Sequence, residues 1–158
     1  MPTIEAGKNT LGLRLNRLSI KKMSNMPFSL EMKVRDYECD MQGIVNNAVY
    51  QNYLEHARHE YLLSRGTSFA DLTARGIIIV VVRAELDYRQ SLKSGDSFSV
   101  SVAASRPSKV KLVFHQQIQR LPDQVKVLDA SITTTAVKPN NRPYFPAELE
   151  PLLDGEEG

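Results

Sequence analysis

From Ile77 to Ala136 the chain alternates apolar and polar residues almost without a break, and only one stretch ahead of it carries a long helical stripe. Successive strand side chains point to opposite faces, so alternation of this kind builds half-buried strands. Ile77 to Val82 is a continuous β-branched run, which predicts a strand covered on both faces, and it continues through Ala84, Leu86 and Tyr88. Ser94-Gly95-Asp96 is a turn. Phe98, Val100, Val102 and Ala104 share the next buried face, followed by a turn at Arg106-Pro107-Ser108. Val110, Leu112, Phe114 and Ile118 mark another strand, and Leu128, Ala130, Ile132 and Ala136 the last, beyond the turn Leu121-Pro122-Asp123-Gln124. Upstream, Phe28, Leu30, Met32 and Val34 alternate with Ser29, Glu31, Lys33 and Arg35.

The helical stripe is Tyr50, Tyr53, Leu54, Ala57 and Tyr61, spaced as one face of a helix from about Asn47 to Ser64. Asn46 or Asn47 suits the N-cap, because its side chain accepts an orphan amide hydrogen, and Gly66 stands where a left-handed C-cap is wanted. A second, short helix is expected from Ser68 to Ala74. The sum is an α+β domain in which a five-stranded antiparallel sheet packs on one long central helix. Such a sheet leaves edges to protect, so a homodimer is expected, assembled further into a tetramer.

Three segments divide the chain: a basic N-terminal extension over 1–26, the domain over 27–146, and an acidic tail over 147–158 beyond Pro139, Pro143 and Pro146. The extension carries Lys8, Arg14, Arg17, Lys21 and Lys22 against the single acid Glu5. Two readings stay open for it: part of an organellar transit peptide, which implies a plastid, or a bland extension of a cytoplasmic protein with Met23 or Met26 as the start. A net charge of +2 without a long basic run argues against nucleic acid as a partner. No apolar run reaches the length of a membrane span. Three histidines, two of them close together on one helix, and the single thiol Cys39 are poor material for a metal site, and no cofactor is expected.

Ahead of the helix, Asp40-Met41-Gln42-Gly43-Ile44-Val45-Asn46-Asn47-Ala48-Val49-Tyr50 places a carboxylate and a glycine-containing loop directly before a helix N-terminus. The segment Val34 to Arg58 resembles the active-site segment of hotdog-fold thioesterases of the 4-hydroxybenzoyl-CoA thioesterase type. The resemblance rests on Asp40 three residues before Gly43, the aliphatic pair Ile44-Val45, the polar pair Asn46-Asn47, Tyr50, and Glu55-His56-Ala57-Arg58. Val45-Asn46-Asn47-Ala48-Val49-Tyr50 is closest to the acyl-lipid (acyl-carrier) thioesterase branch, and the likeness extends over about Phe28 to Tyr144.

The resemblance implies a hotdog fold and hydrolysis of acyl-CoA or acyl-carrier-protein thioesters to a fatty, 3-oxo-fatty or aromatic acid. It implies that Asp40 acts as nucleophile or as base for water. The backbone amide of Asn47, helped by Ala48, would hold the oxyanion at the positive end of the helix. Gly43 would let the loop approach the substrate, and Asn46, Ala48 and Tyr50 would line the substrate site. Arg106, Lys109 and Lys111 resemble a basic turn that meets the phosphates of the thioester carrier. Many relatives carry histidine or tyrosine where this chain has Asn47, whose side chain either orients substrate or caps the helix. Asp36 and Glu38 match nothing catalytic. Glu55, Arg58 and His59 read as a solvated or structural helix face, and Tyr50, Tyr53 and Tyr61 as core or acyl-pocket lining. Two other functions stay open: a non-catalytic acyl-binding dimer, and a hydratase or dehydratase, which lacks the histidine it needs near an acid.

Overall fold

The fold is described from a computed structural model over residues 28–153. Its alternating segments form β1 (Phe28–Lys33), β2 (Ile78–Tyr88), β3 (Ser97–Ser105), β4 (Lys111–Leu121) and β5 (Lys126–Val137), with a two-residue β6 (Pro143–Tyr144). The sheet runs β1-β3-β4-β5-β2, every pair antiparallel. β1 and β2 are consecutive in the chain yet sit at opposite edges. The connection between them must therefore cross the whole sheet, and it carries helices α1 (Val49–Ser64) and α2 (Phe69–Ala74).

Strand periodicity decides which face α1 meets. Phe98, Val100 and Val102 of β3, Leu112, Phe114 and Ile118 of β4, and Leu128 and Ile132 of β5 are all buried beneath it. The helix answers with the expected stripe, Tyr50, Tyr53, Leu54, Ala57 and Tyr61, every member buried. Aromatic edges lock the layers together, with Tyr53 and Phe98 at 4.6 Å and Tyr61 and Phe114 at 6.4 Å between ring centres. Gly66, at φ +80°, ends α1, and the amide of Thr67 donates to the Leu62 carbonyl.

Three expectations need correction. The sheet has six strands rather than five: β6 pairs with β5 at Ala136 and Val137, beyond the last β4 pair at Thr135. The β-branched run is not covered on both faces within one chain. β2 is an edge strand, and Ile78, Val81 and Val82 are 49%, 53% and 53% exposed. Regular structure does not end at Pro146, because a 3₁₀ segment, Ala147–Leu152, returns to the core with Leu149 and Leu152 buried. The Tyr61 hydroxyl fastens it by donating to the Leu152 carbonyl at 2.5 Å. The reading of 1–26 as an extension lies outside the described residues.

Of the two readings left open for Arg58, solvated or structural, the fold gives the structural one: it is buried. Its Nη1 donates to Gln116 Oε1 at 3.0 Å, and Gln116 Nε2 donates to the Leu54 carbonyl at 3.0 Å. Gln116 interrupts the apolar face of β4 and satisfies both groups at once. Burial lowers the Arg58 pKa, so the partner matters. Gln116→Leu is expected to destabilise the fold by about 2–4 kcal/mol, since it strands a buried guanidinium. Chemical denaturation checks this, and Arg58→Met added to Gln116→Leu should recover part of the loss. By contrast, Glu55 and His59 do form a solvated pair, 3.8 Å apart.

Candidate active site

After β1 the chain makes a 3₁₀ turn, Asp36–Glu38, and then folds Asp40 to Ile44 into a closed loop. The Asp40 amide donates to the Ile44 carbonyl at 2.9 Å, and the Gly43 amide to the Asp40 carbonyl at 3.0 Å. Gly43 has φ +77°, and a Cβ there would meet nothing within 4 Å. Within the chain it is therefore needed for its backbone conformation rather than for space. Bridges Cys39–Val45 and Ile44–Lys93 pin the loop to itself and to the segment leading into β3.

The loop presents its carboxylate half engaged. Asp40 Oδ1 accepts from the Gln42 amide at 2.8 Å, while Oδ2 has no partner among the described residues. At the start of α1 the amides are allotted one by one. Asn46 N–H donates to the Glu38 carbonyl at 3.0 Å, and Val49 N–H to the Asn46 carbonyl at 2.9 Å. Ala48 N–H donates to Asn46 Oδ1 at 3.0 Å, so Asn46 braces the turn and Ala48, expected as a second oxyanion donor, is already engaged. The formal N-cap of α1 is Ala48, and the helix begins two residues later than its stripe predicts. The Asn47 carbonyl accepts from the Tyr88 hydroxyl at 3.0 Å. The Asn47 N–H, like the Tyr50 N–H one turn in, is left without an acceptor among the described residues at this corner.

Asp40 and Asn47 line one cleft of about 430 Å³, which Ile44, Val45, Tyr50 and Tyr88 wall. Tyr50 and Tyr88 meet edge to face at 5.6 Å. The Tyr50 hydroxyl accepts from the Leu92 amide at 3.2 Å, and burial raises its pKa, so it is a neutral wall and not a reactive group. Tyr88 was counted from sequence only as a core position; its part in holding Asn47 shows only once β2 lies beside the start of α1. A larger hollow, about 560 Å³, lies on the opposite face of the sheet among Glu85, Asp87, His115 and Asp129, away from any helix start.

Arg106, Lys109 and Lys111 do not join this cleft within one chain. The cleft lies near the start of β3, where the Val34 amide meets the Asp96 carbonyl, whereas the basic hairpin follows Ser105 at its far end. Eight strand steps separate the two ends, roughly 26 Å. Arg106 is also committed locally, to Glu150 at 2.8 Å and over the Phe145 ring at 3.8 Å, where it holds the C-terminal segment down.

The fold, an antiparallel sheet with few helices, is that of the thioesterase-like hotdog class. Residues 34–152 match the Thioesterase-like superfamily, and the chain belongs to it. It is 40% identical over 101 residues to a chloroplastic acyl-acyl carrier protein thioesterase of Arabidopsis thaliana, covering 64% of this chain and 53% of that protein. The chain thus spans about half the length of that relative. It is 32% identical over 107 residues to the long-chain acyl-CoA thioesterase FadM of Escherichia coli, covering 68% of this chain and 80% of that one. Among solved structures, a hypothetical protein from Aquifex aeolicus superposes with a TM-score of 0.74 at 30% identity, over 80% of this chain and 99% of that one. No helix among the described residues is long and apolar enough to cross a membrane.

Proposed function

We propose that this chain hydrolyses acyl thioesters carried on acyl carrier protein or coenzyme A, releasing the free acid. The observation that supports it most is the pairing in one cleft of an unengaged amide, Asn47 N–H, with an unengaged carboxylate oxygen, Asp40 Oδ2. A thioester carbonyl accepting from that amide gains its hydrogen bond as charge builds on oxygen, at the positive end of α1. Asp40 serves in one of two ways. As a base it takes a proton from water as water adds to the carbonyl carbon; collapse then breaks the C–S bond, and the departing thiolate takes up that proton. As a nucleophile it forms an anhydride and expels the thiolate, and water then hydrolyses the anhydride. Ile44, Val45 and Tyr50 offer apolar wall for the acyl group. The names of the plant and bacterial relatives favour fatty acyl groups.

A second copy completes the site in this reading. β2 is an exposed edge of β-branched residues, and two such edges can pair antiparallel about a two-fold axis. That symmetry brings the Tyr88 end of one β2 to the Ile78 end of the other. Ile78 is in register with Val137, and Thr135 with Lys111, so the partner's basic hairpin reaches the end of the seam where Asp40 and Asn47 sit.

The test is a panel of acyl thioesters varied in chain length and carrier, with thiol release as the readout. Cleavage of at least one series is expected. Each added methylene should change transition-state binding by about 1–3 kcal/mol until the pocket is full. Acyl binding without cleavage of any thioester would instead mark a non-catalytic acyl-binding protein.

A further inference from the structure

Glu38 is a buried carboxylate that the proposed chemistry leaves unused, yet it is bonded both to α1 and to the turn that leads into the Asp40 loop. Its Oε2 accepts from the Tyr53 hydroxyl of α1 at 2.6 Å and from the Arg35 amide at 2.8 Å, and Arg35 Nη1 lies 3.3 Å from Oε1. Its backbone carbonyl accepts from Asn46 N–H, the residue directly before the free Asn47 amide. Asp40 lies two residues further along the same strand of loop. One residue therefore ties the middle of α1, the 3₁₀ turn, the Asp40 loop and the start of α1 into a single closed circuit.

We propose that Glu38, through Tyr53, is the positioning residue that sets the Asp40 carboxylate against the Asn47 amide. The proposal rests on the thioesterase reading above and deepens it. Its logic is geometric. Among the described residues the loop from Arg35 to Asp40 is hydrogen-bonded to α1 by a side chain only at the Glu38–Tyr53 bond; its other side-chain tie, Ser94 Oγ to Asp36, runs to the segment before β3. Asp40 itself is exposed, so its side chain has no packing to fix its distance from α1, and its loop is held only at its flanks by the Cys39–Val45 and Ile44–Lys93 bridges. Tyr53 is well suited to the anchor: its ring is buried against Phe98, so its hydroxyl has one place to point. Burial first, and then the adjoining Glu38, raise the Tyr53 pKa, so the phenol keeps its proton and donates at any physiological pH. Because both Tyr53 and Arg35 N–H use the same oxygen, an amide at position 38 can still accept from both. The negative charge itself is needed only by Arg35, whose side chain is largely exposed.

The test uses the full chain with the best thioester of the panel, and Asp40→Asn as the reference for lost chemistry. Glu38→Ala should lower kcat by about 10- to 100-fold with KM little changed, the size expected when reacting groups are misplaced without loss of binding. Tyr53→Phe should lower kcat in the same way. The double variant should be no worse than Glu38→Ala alone, since the two residues act through one bond. Glu38→Gln should recover most of the activity that Glu38→Ala loses. Should Glu38→Ala not fold, Tyr53→Phe still breaks the tether, and a wild-type kcat in it overturns the proposal. A folded Glu38→Gln as inactive as Glu38→Ala overturns it also, because the charge rather than the tether would then be what matters. Full activity in all of these variants beside an inactive Asp40→Asn overturns the positioning role and leaves the thioesterase reading standing. A wild type that cleaves no thioester overturns both.

Discussion

Asp40→Asn is expected to lower kcat for thioester hydrolysis by about 100- to 10,000-fold, the contribution of a positioned base, or about 3–5.5 kcal/mol of barrier. The substitution isolates the chemistry from the fold. Asn keeps an oxygen able to accept from the Gln42 amide, and the loop's remaining bonds, Asp40 N–H to Ile44 and Gly43 N–H to Asp40, run through backbone atoms. Circular dichroism and oligomeric state should therefore match the wild type while thiol release does not. KM should change little, because the substrate still finds the Asn47 amide and the apolar wall. A variant that turns over at the wild-type rate would remove Asp40 from the chemistry. The same assay separates the two routes for Asp40. A single turnover in ¹⁸O-labelled water leaves label on the Asp40 carboxylate if an anhydride forms and is opened at the aspartyl carbon; with Asp40 as base, all label appears in the released acid.

The elements of this fold were legible because each announces its own period. The stripe from Tyr50 to Tyr61 and the alternation from Phe98 through Ala136 are local patterns, and the buried faces follow them except at Val110, which is half-buried and precedes β4. What was not legible is what depends on neighbours in space. The run Ile77 to Val82 reads as a doubly covered strand because β-branched residues want cover, but periodicity does not say which chain provides it. Gln116 falls between Phe114 and Ile118 on the buried face of β4 with no sequence pattern to explain it, and only the position of Arg58 across the core makes it the residue that face requires. Glu38 was set aside between Asp36 and Asp40 as one acid among three. The difference among them is made by Tyr53, fifteen positions away in sequence. The same holds at the site. Asp40 and the Asn47 amide were named from the chain by resemblance, yet that Ala48 N–H is already taken up by Asn46 depends on how the turn closes.

The second large effect is expected at the β2 edge. Val81→Asp puts a carboxylate on a side chain that is 53% exposed in the single chain, so the fold itself should tolerate it. Between two paired β2 edges the same carboxylate is buried without a partner and repels its symmetry mate, which opposes dimer formation strongly. Light scattering after size exclusion should show a monomer with unchanged circular dichroism, and activity should fall with the dimer because the partner's hairpin is lost. Whether that hairpin contributes is decided by mixing. Asp40→Asn and Lys111→Glu, each poor alone, are co-refolded in equal amounts. If the basic residue acts across the seam, a mixed dimer carries one site with both changes and one with neither. About half the dimers are mixed, so roughly a quarter of wild-type activity should return. If Lys111 served its own chain's cleft, roughly 26 Å away along β3, no mixed dimer would contain an intact site and nothing would return. A monomeric Val81→Asp with full activity would show that one chain suffices, and the edge would then need another explanation.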